Sequence, residues 1–250
     1  MVLDQVRIVL VEPAGPMNVG SIARVMKNFG LAHLVLVNPQ CNPISSEALQ
    51  MAVHAKDILA SAVSVATLPE ALQGCTRAIA TTARIRTLDS PLYTPSSALS
   101  WLLEKPEQPV AIIFGPEDRG LSNEELNYAQ RFVRIPTSSN YSSLNLATAV
   151  AICCYELAQQ AQLYSNPEPE ESQKTLPEME PAPMDVTEAY YQDLEALLLK
   201  IGYLYPHTAA SRMEKFRQLY NRAHLKTREV AMLRGILRQV EWVLDNQGEP

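Results

Sequence analysis

The chain has 250 residues and a formal net charge of −6, with 47% hydrophobic and 19% charged residues. That is an ordinary globular composition, long enough to bury a real core, and its acidic balance excludes a uniformly basic nucleic-acid binder. Asp4 and Arg7 interrupt the N-terminus, so it lacks signal-peptide architecture, and no run approaches the roughly 18 apolar residues of a bilayer span; a soluble, cytoplasmic protein is expected.

Residues 6 to 11, VRIVLV, form an almost continuous β-branched run, the pattern of a strand buried on both faces of a parallel sheet. The loop AGPMNVG follows, then a helix expected from about Ser21 to Phe29 with Gly30 as its stop, and a second strand at 34 to 37. This is a β-α-β unit. The Gly15 to Gly20 spacing lacks the lysine of a phosphate-cradling loop, and no G-x-G-x-x-G is present, so both nucleotide fingerprints fail. Asn18 and Arg24 are the polar residues this unit presents; an arginine on the first helical turns can hold a phosphate or merely be solvated.

A helix is expected over 44 to 60, a strand-like piece over Ala62 to Val65, and a capping box from Thr67 to Glu70 that makes this glutamate structural. The strand Ala78 to Thr81 ends in TTARIR, a loop carrying Arg84 and Arg86 at the edge where parallel sheets bind ligands. After a helix from about Pro95 to Glu104, VAIIF at 110 to 114 reads as a central strand. It empties into GPEDRGLSNEEL, where Ser122 and Glu125 form a second capping box. The box leaves Glu117, Asp118 and Arg119 unexplained.

The stretch 132 to 163 begins as a short strand (Phe132, Val133, Ile135), breaks at Pro136, and crosses a Ser, Thr and Asn loop. It then enters a helix near Leu144 with Ser143 as N-cap. Small or polar residues at its opening let the first-turn N–H groups approach a ligand. The helix is apolar on nearly every side, which demands burial, in part against another chain. Three strands thus empty into Gly-, Ser- or Asn-rich loops at one sheet edge, where a cofactor site belongs.

Residues 164 to 186 hold five prolines and six acidic residues and read as a flexible linker. Leu194, Leu197, Leu198 and Ile201 then give a helical stripe, and further helices are expected from about Ala209 to Ala223 and Thr227 to Asp245. Residues 207 to 240 carry eight Lys or Arg against Glu214 and Glu229, a local basic surface suited to phosphates or a solvated face of a small bundle. The four cysteines form no C-x-x-C and the four histidines are scattered, so neither a disulfide framework nor a metal site is indicated.

Three ordered stretches carry a resemblance: Asn18-Val19-Gly20-Ser21-Ile22-Ala23-Arg24; Phe114 to Leu121; and Ile135-Pro136 with Ser143-Leu144-Asn145-Leu146-Ala147. Together they resemble the motifs of the SpoU branch of the SPOUT methyltransferases, and most closely its tRNA (cytidine/uridine-2'-O-)-methyltransferases. The resemblance implies an α/β fold with a mostly parallel sheet, helices on both faces and a deep trefoil knot at about 110 to 163. A methyltransferase domain at 1 to 163, a linker at 164 to 186 and a helical extension at 187 to 246 follow from it.

It further implies a homodimer that uses S-adenosyl-L-methionine to methylate a ribose 2'-hydroxyl of tRNA at the anticodon loop; a ribosomal RNA target or a non-catalytic RNA-binding dimer are the alternatives. The implied catalytic frame is Arg24, Asn18, Glu117, Ser143 and Asn145. The implied cofactor contacts are Thr81, Thr82, Ala83, Phe114, Gly115, Glu117, Ile135, Pro136, Ser143, Leu144 and Asn145. Arg24, Arg84, Arg86 and Arg119 are the implied RNA contacts, and no metal or membrane is implied. Many relatives have arginine where this chain has Pro116, which makes Arg119 the candidate to compensate. A guanidinium with a pKa above about 12 is a poor base, so Arg24 is expected to hold a phosphate and orient the hydroxyl.

Overall fold

A computed structural model describes residues 2–83, 91–105, 107–138, 140–165 and 181–246. By contacts the chain separates into two compact units, Met1–Ser172 and Gln173–Pro250.

The first unit is built on a seven-stranded sheet whose strand pairs are all parallel. Its strands are β1 (Val6–Val11), β2 (His33–Val37), β3 (Val63–Val65), β4 (Arg77–Thr81), β5 (Leu92–Tyr93), β6 (Val110–Phe114) and β7 (Arg131–Val133). They lie in the order β3-β2-β1-β6-β4-β7-β5. Val6, Ile8 and Leu10 point to one side, into a core shared with helices α1 (Pro16–Asn28), α5 (Pro95–Leu103) and α7 (Leu146–Ser165). Val9 and Val11 alternate to the other side and are equally buried, so helical layers cover both faces.

The helix α1 starts five residues earlier than expected. Pro16 occupies its first turn, where a missing N–H costs nothing and the fixed φ is already helical, so the apparent loop AGPMNVG is mostly helix. Asn18 therefore lies on the first turn and Arg24 two turns further in. The helix expected over 44 to 60 is two, α2 (Ser46–Ala52) and α3 (Lys56–Ser61), broken at Val53 in a left-handed conformation, φ 54°. The two-residue strand β5 was too short to carry a period and was not anticipated.

Glycine is obligatory at two close approaches. A Cβ on Gly20 would meet the Ala48 carbonyl oxygen at 2.2 Å, where α1 crosses α2, and one on Gly115 would meet the Leu121 nitrogen at 2.3 Å, where the loop after β6 folds back on itself. Both capping boxes use their glutamates structurally. Ser122 and Glu125 form the complete reciprocal pair at α6 (Asn123–Leu126). At α4 (Leu68–Ala71), Glu70 instead accepts from Ala66 N–H and from the Thr67 hydroxyl.

In the second unit α8 (Met184–Lys200), α9 (Ala209–Ala223) and α10 (Thr227–Asn246) bury Tyr190, Tyr191, Leu194, Leu197, Met213, Val230 and Leu237. The helix α8 begins at Met184, inside the stretch expected as linker, whose middle lies outside the described residues. Ile201 departs from the expected stripe: it caps α8 and is 47% exposed. Among the described residues, no helix is long and apolar enough to cross a membrane.

Candidate active site

The chain runs outward from β1 to β2 and β3 on one side, then places β6 and β4 on the other, so β1 and β6 flank the point where the strand order reverses. Loops leaving their carboxyl ends diverge there and leave a crevice. A cavity of about 370 Å³ opens at this edge. Thr81 to Ala83 after β4, Phe114 to Leu121 after β6, Val133 and Ile135 at β7, and Ser142 to Leu144 with Leu146 and Ala149 before and on α7 line it.

Beside the cavity three distant segments are joined by one directional chain of hydrogen bonds. The Glu117 carboxylate accepts from Ala14 N–H and Gly15 N–H, both at 3.3 Å, and from Asn18 Nδ2 at 3.0 Å. Asn18 Oδ1 accepts from Asn145 Nδ2 at 3.1 Å. Asn145 Oδ1 in turn accepts from Ala147 N–H (2.9 Å) and Thr148 N–H (3.3 Å), capping α7. The backbone donors dictate the flip of Asn145, Asn145 dictates that of Asn18, and Asn18 then presents a donor to the carboxylate. Partial desolvation pushes the Glu117 carboxyl up, but the hydrogen bonds from Asn18 and the backbone outweigh it and hold it below the usual glutamate range.

The N-cap of α7 is thus Asn145, not Ser143, and the helix begins at Leu146. Ser142 to Leu144 stay non-helical on the cavity wall, tied by the Thr137 hydroxyl donating to the Ser142 carbonyl at 3.2 Å. Of the expected cofactor contacts, Thr81, Thr82, Ala83, Phe114, Gly115, Glu117, Ile135, Ser143 and Leu144 lie on that wall. Pro136 and Asn145 do not; Asn145 is turned toward Asn18 and its own helix.

The arginines separate into different roles. Arg24 is exposed and makes no hydrogen bond or ion pair to another described residue. Arg84 and Arg86 lie outside the described residues. Arg119 is held between two carboxylates, Glu12 at 2.7 Å and Glu125 at 2.9 Å, and also donates to the Gly120 carbonyl, so it does not supply a free cation in place of Pro116. Its hydrogen bonds to Glu125 and then Glu12 hold the guanidinium still more firmly protonated.

Sequence reasoning missed Glu12, Leu121 and Val133, while Ser142, on the wall, belongs to the small or polar residues expected at the helix opening. Glu12 had a signal, a carboxylate placed directly where a buried strand meets its loop; Leu121 and Val133 had none, because apolar lining looks like core.

Two family models match the chain. The SpoU rRNA Methylase family covers residues 5–155, and the C-terminal domain of the tRNA methyltransferase TrmJ covers residues 185–249. The tRNA (cytidine/uridine-2'-O-)-methyltransferase TrmJ of Pectobacterium atrosepticum is 42% identical over 243 residues, 96% of this chain and 98% of the relative. The tRNA (cytidine/uridine/adenosine-2'-O-)-methyltransferase TrmJ of Pseudomonas aeruginosa is 40% identical over 247 residues, 96% of this chain and 95% of the relative. The crystal structure of TrmJ from Z. mobilis matches with a TM-score of 0.82 at 33% identity, covering 94% of this chain and 98% of that one. With its parallel sheet, its cavity at the reversal of strand order and three motifs joined through Asn18, the chain belongs to the SpoU rRNA methylase family.

Proposed function

We propose that the protein is an S-adenosylmethionine-dependent methyltransferase that acts in the cytoplasm on the ribose 2'-hydroxyl of a cytidine or uridine in tRNA, at the first nucleotide of the anticodon loop. The observation that carries this reading is the Glu117–Asn18–Asn145 chain beside the cavity, which joins all three motif segments in one site.

The cavity fits the cofactor in its chemistry. Main-chain polar groups of Thr81 to Ala83, Phe114 to Gly115, Ile135 and Ser142 to Leu144 surround apolar Leu121, Val133 and Leu146, a mixture that suits a nucleoside with apolar faces and polar edges. The Glu117 carboxylate adds negative charge to a site meant for a cationic donor. When bound, S-adenosylmethionine supplies an activated methyl group on a positively charged sulfur.

The task left to the chain's own residues is positioning, which removes roughly 7 to 11 kcal/mol of barrier when geometry is right. Arg24, exposed and without a protein partner among the described residues, holds a phosphate of the RNA and orients the hydroxyl. Asn18, Glu117, Ser143 and Asn145 complete the polar frame. Arg84 and Arg86 extend the RNA surface, and Arg119 contributes by shaping the loop.

The reading also includes a trefoil knot, a homodimer, and a helical extension joined by an acidic linker. Support for the knot is that β7 lies between β4 and β5, two strands already consecutive in sequence. Support for the dimer is that α7 leaves Tyr155 49% exposed, edge-on to Phe29 at 6.1 Å. In the extension Arg217 and Arg234 pair with Glu188 and Asp193, while Arg212, Lys215, Arg222, Arg228 and Arg238 are exposed and supply the phosphate-facing charge.

The test is incubation of the protein with methyl-labelled cofactor and unmodified tRNA transcripts, including one with adenosine at the target position, followed by mapping of ribose methylation. Label on the target ribose of the pyrimidine transcripts is expected. Label on a base nitrogen or carbon overturns the reaction.

A further inference from the structure

We infer that Glu12 is a positioning residue for methyl transfer: from the end of β1 its carboxylate locks the loop 115 to 121 in the place where Glu117 meets Asn18. This inference rests on the reaction proposed above.

The starting observation is a backbone anomaly. β1 and β2 remain paired as far as Val11 and Val37, and the next residue of each strand, Glu12 and Asn38, is left-handed, with φ 47° and 44°. Glycine adopts that region freely, whereas residues bearing a Cβ rarely do, and a bare turn at this position would favour glycine. What the glutamate adds is its side chain. Glu12 Oε1 accepts from Asn38 Nδ2 at 3.3 Å, and Oε2 receives Arg119 Nη2 at 2.7 Å.

Arg119 does not need Glu12 merely to be ordered. Glu125 already grips it with both oxygens, at 2.9 and 3.0 Å, and closes the capping box with Ser122. The ion pair to Glu12 instead ties this loop-and-helix assembly to the end of the central strand. In the opposite direction Glu117, two residues before Arg119, reaches back to Ala14 N–H and Gly15 N–H, two and three residues after Glu12. The two loops therefore clasp each other by one acidic arm apiece. Without the Glu12 arm, the side-chain link between these two loops among the described residues is the arm that Glu117 itself must provide. Glu117 then drifts relative to Asn18, and a displacement of about 1 Å at such a site costs up to roughly a hundredfold in rate.

The experiment compares wild type with Glu12→Gly, which relieves the left-handed strain, Glu12→Gln, which keeps size and removes charge, Arg119→Met, and the double variant Glu12→Gln with Arg119→Met. Thermal midpoint, kcat and KM for tRNA, cofactor affinity by calorimetry, and amide hydrogen exchange over residues 13 to 18 and 115 to 121 are measured on the full chain. Expected are a midpoint close to wild type in Glu12→Gly, kcat reduced about 10- to 100-fold in both Glu12 variants, KM little changed, and faster exchange in both loops. The double variant should be no slower than the worse single one, since both cut the same link. Wild-type kcat in either Glu12 variant, additive losses, or unaltered exchange overturns the inference. Exchange is read without any reaction, so a wild-type protein that methylates no RNA refutes the proposed activity while leaving the clasp separately testable.

Discussion

Replacing Asn18 by aspartate changes one NH₂ to an oxygen and so reverses a single link of the site. The Nδ2 that now donates to Glu117 at 3.0 Å becomes a carboxylate oxygen at that separation, while the bond from Asn145 Nδ2 is retained. Two unit charges about 3 Å apart repel by about 5.5 kcal/mol at an effective dielectric constant of 20 and about 1.4 kcal/mol in bulk water. Glu117 is exposed and Asn18 half-buried, so a value toward the watery end, about 1.5 to 2.5 kcal/mol, is appropriate, equivalent to roughly 3 to 10 °C in thermal midpoint for a chain of this size.

The pH dependence carries a definite sign. In the wild type the folded-state pKa of Glu117 lies below its unfolded value, so its contribution is present above the ordinary glutamate range and disappears as pH falls through the depressed value. In Asn18→Asp one carboxyl of the pair is raised instead, so the penalty is full at neutral pH and relaxes once a proton is taken up. Thermal melts and single-turnover methylation from pH 4 to 8 provide the assay. The gap between variant and wild type should be widest near pH 7 and narrow toward acid, with the methylation rate at pH 7 lowered roughly 10- to 100-fold. A gap that is the same at every pH would refute the hydrogen-bond direction assigned to the chain.

Arg24→Ala should abolish tRNA methylation while cofactor affinity and thermal midpoint stay near wild type, because the side chain is exposed and bonds to no other described residue; calorimetry and melting separate the two. Gly20→Ala places a Cβ 2.2 Å from the Ala48 carbonyl and should cost about 1 to 3 kcal/mol by denaturant unfolding. Glu188→Ala leaves the half-buried Arg217 guanidinium without the carboxylate it holds at 2.5 and 2.7 Å. It should loosen the helical unit by about 3 kcal/mol, seen as early loss of helical signal on heating, with cofactor affinity unchanged.

What sequence determined by itself in this protein is whatever depends on neighbours along the chain. The strands β1 and β6 were legible because burial on both faces leaves an unbroken β-branched run, and the Ser122–Glu125 box because its two partners sit three residues apart. The family resemblance also pointed to the cavity: most of the cofactor contacts it implied lie on the cavity wall, and Asn18, Glu117 and Asn145 were all in the frame it implied. Tertiary structure decided the rest. Asn145 rather than Ser143 caps α7: its Oδ1 accepts from Ala147 and Thr148 N–H while its Nδ2 reaches Asn18, 127 residues away, and no local propensity separates these two good caps. The pairing of Arg119 with two carboxylates, one of them 107 residues distant, is likewise set by the fold and not by its neighbours along the chain. Glu12 was invisible for the same reason: the free energy of a charged side chain depends on which partner the fold brings within about 3 Å, and that distance is set by the packed sheet and not by the order of residues.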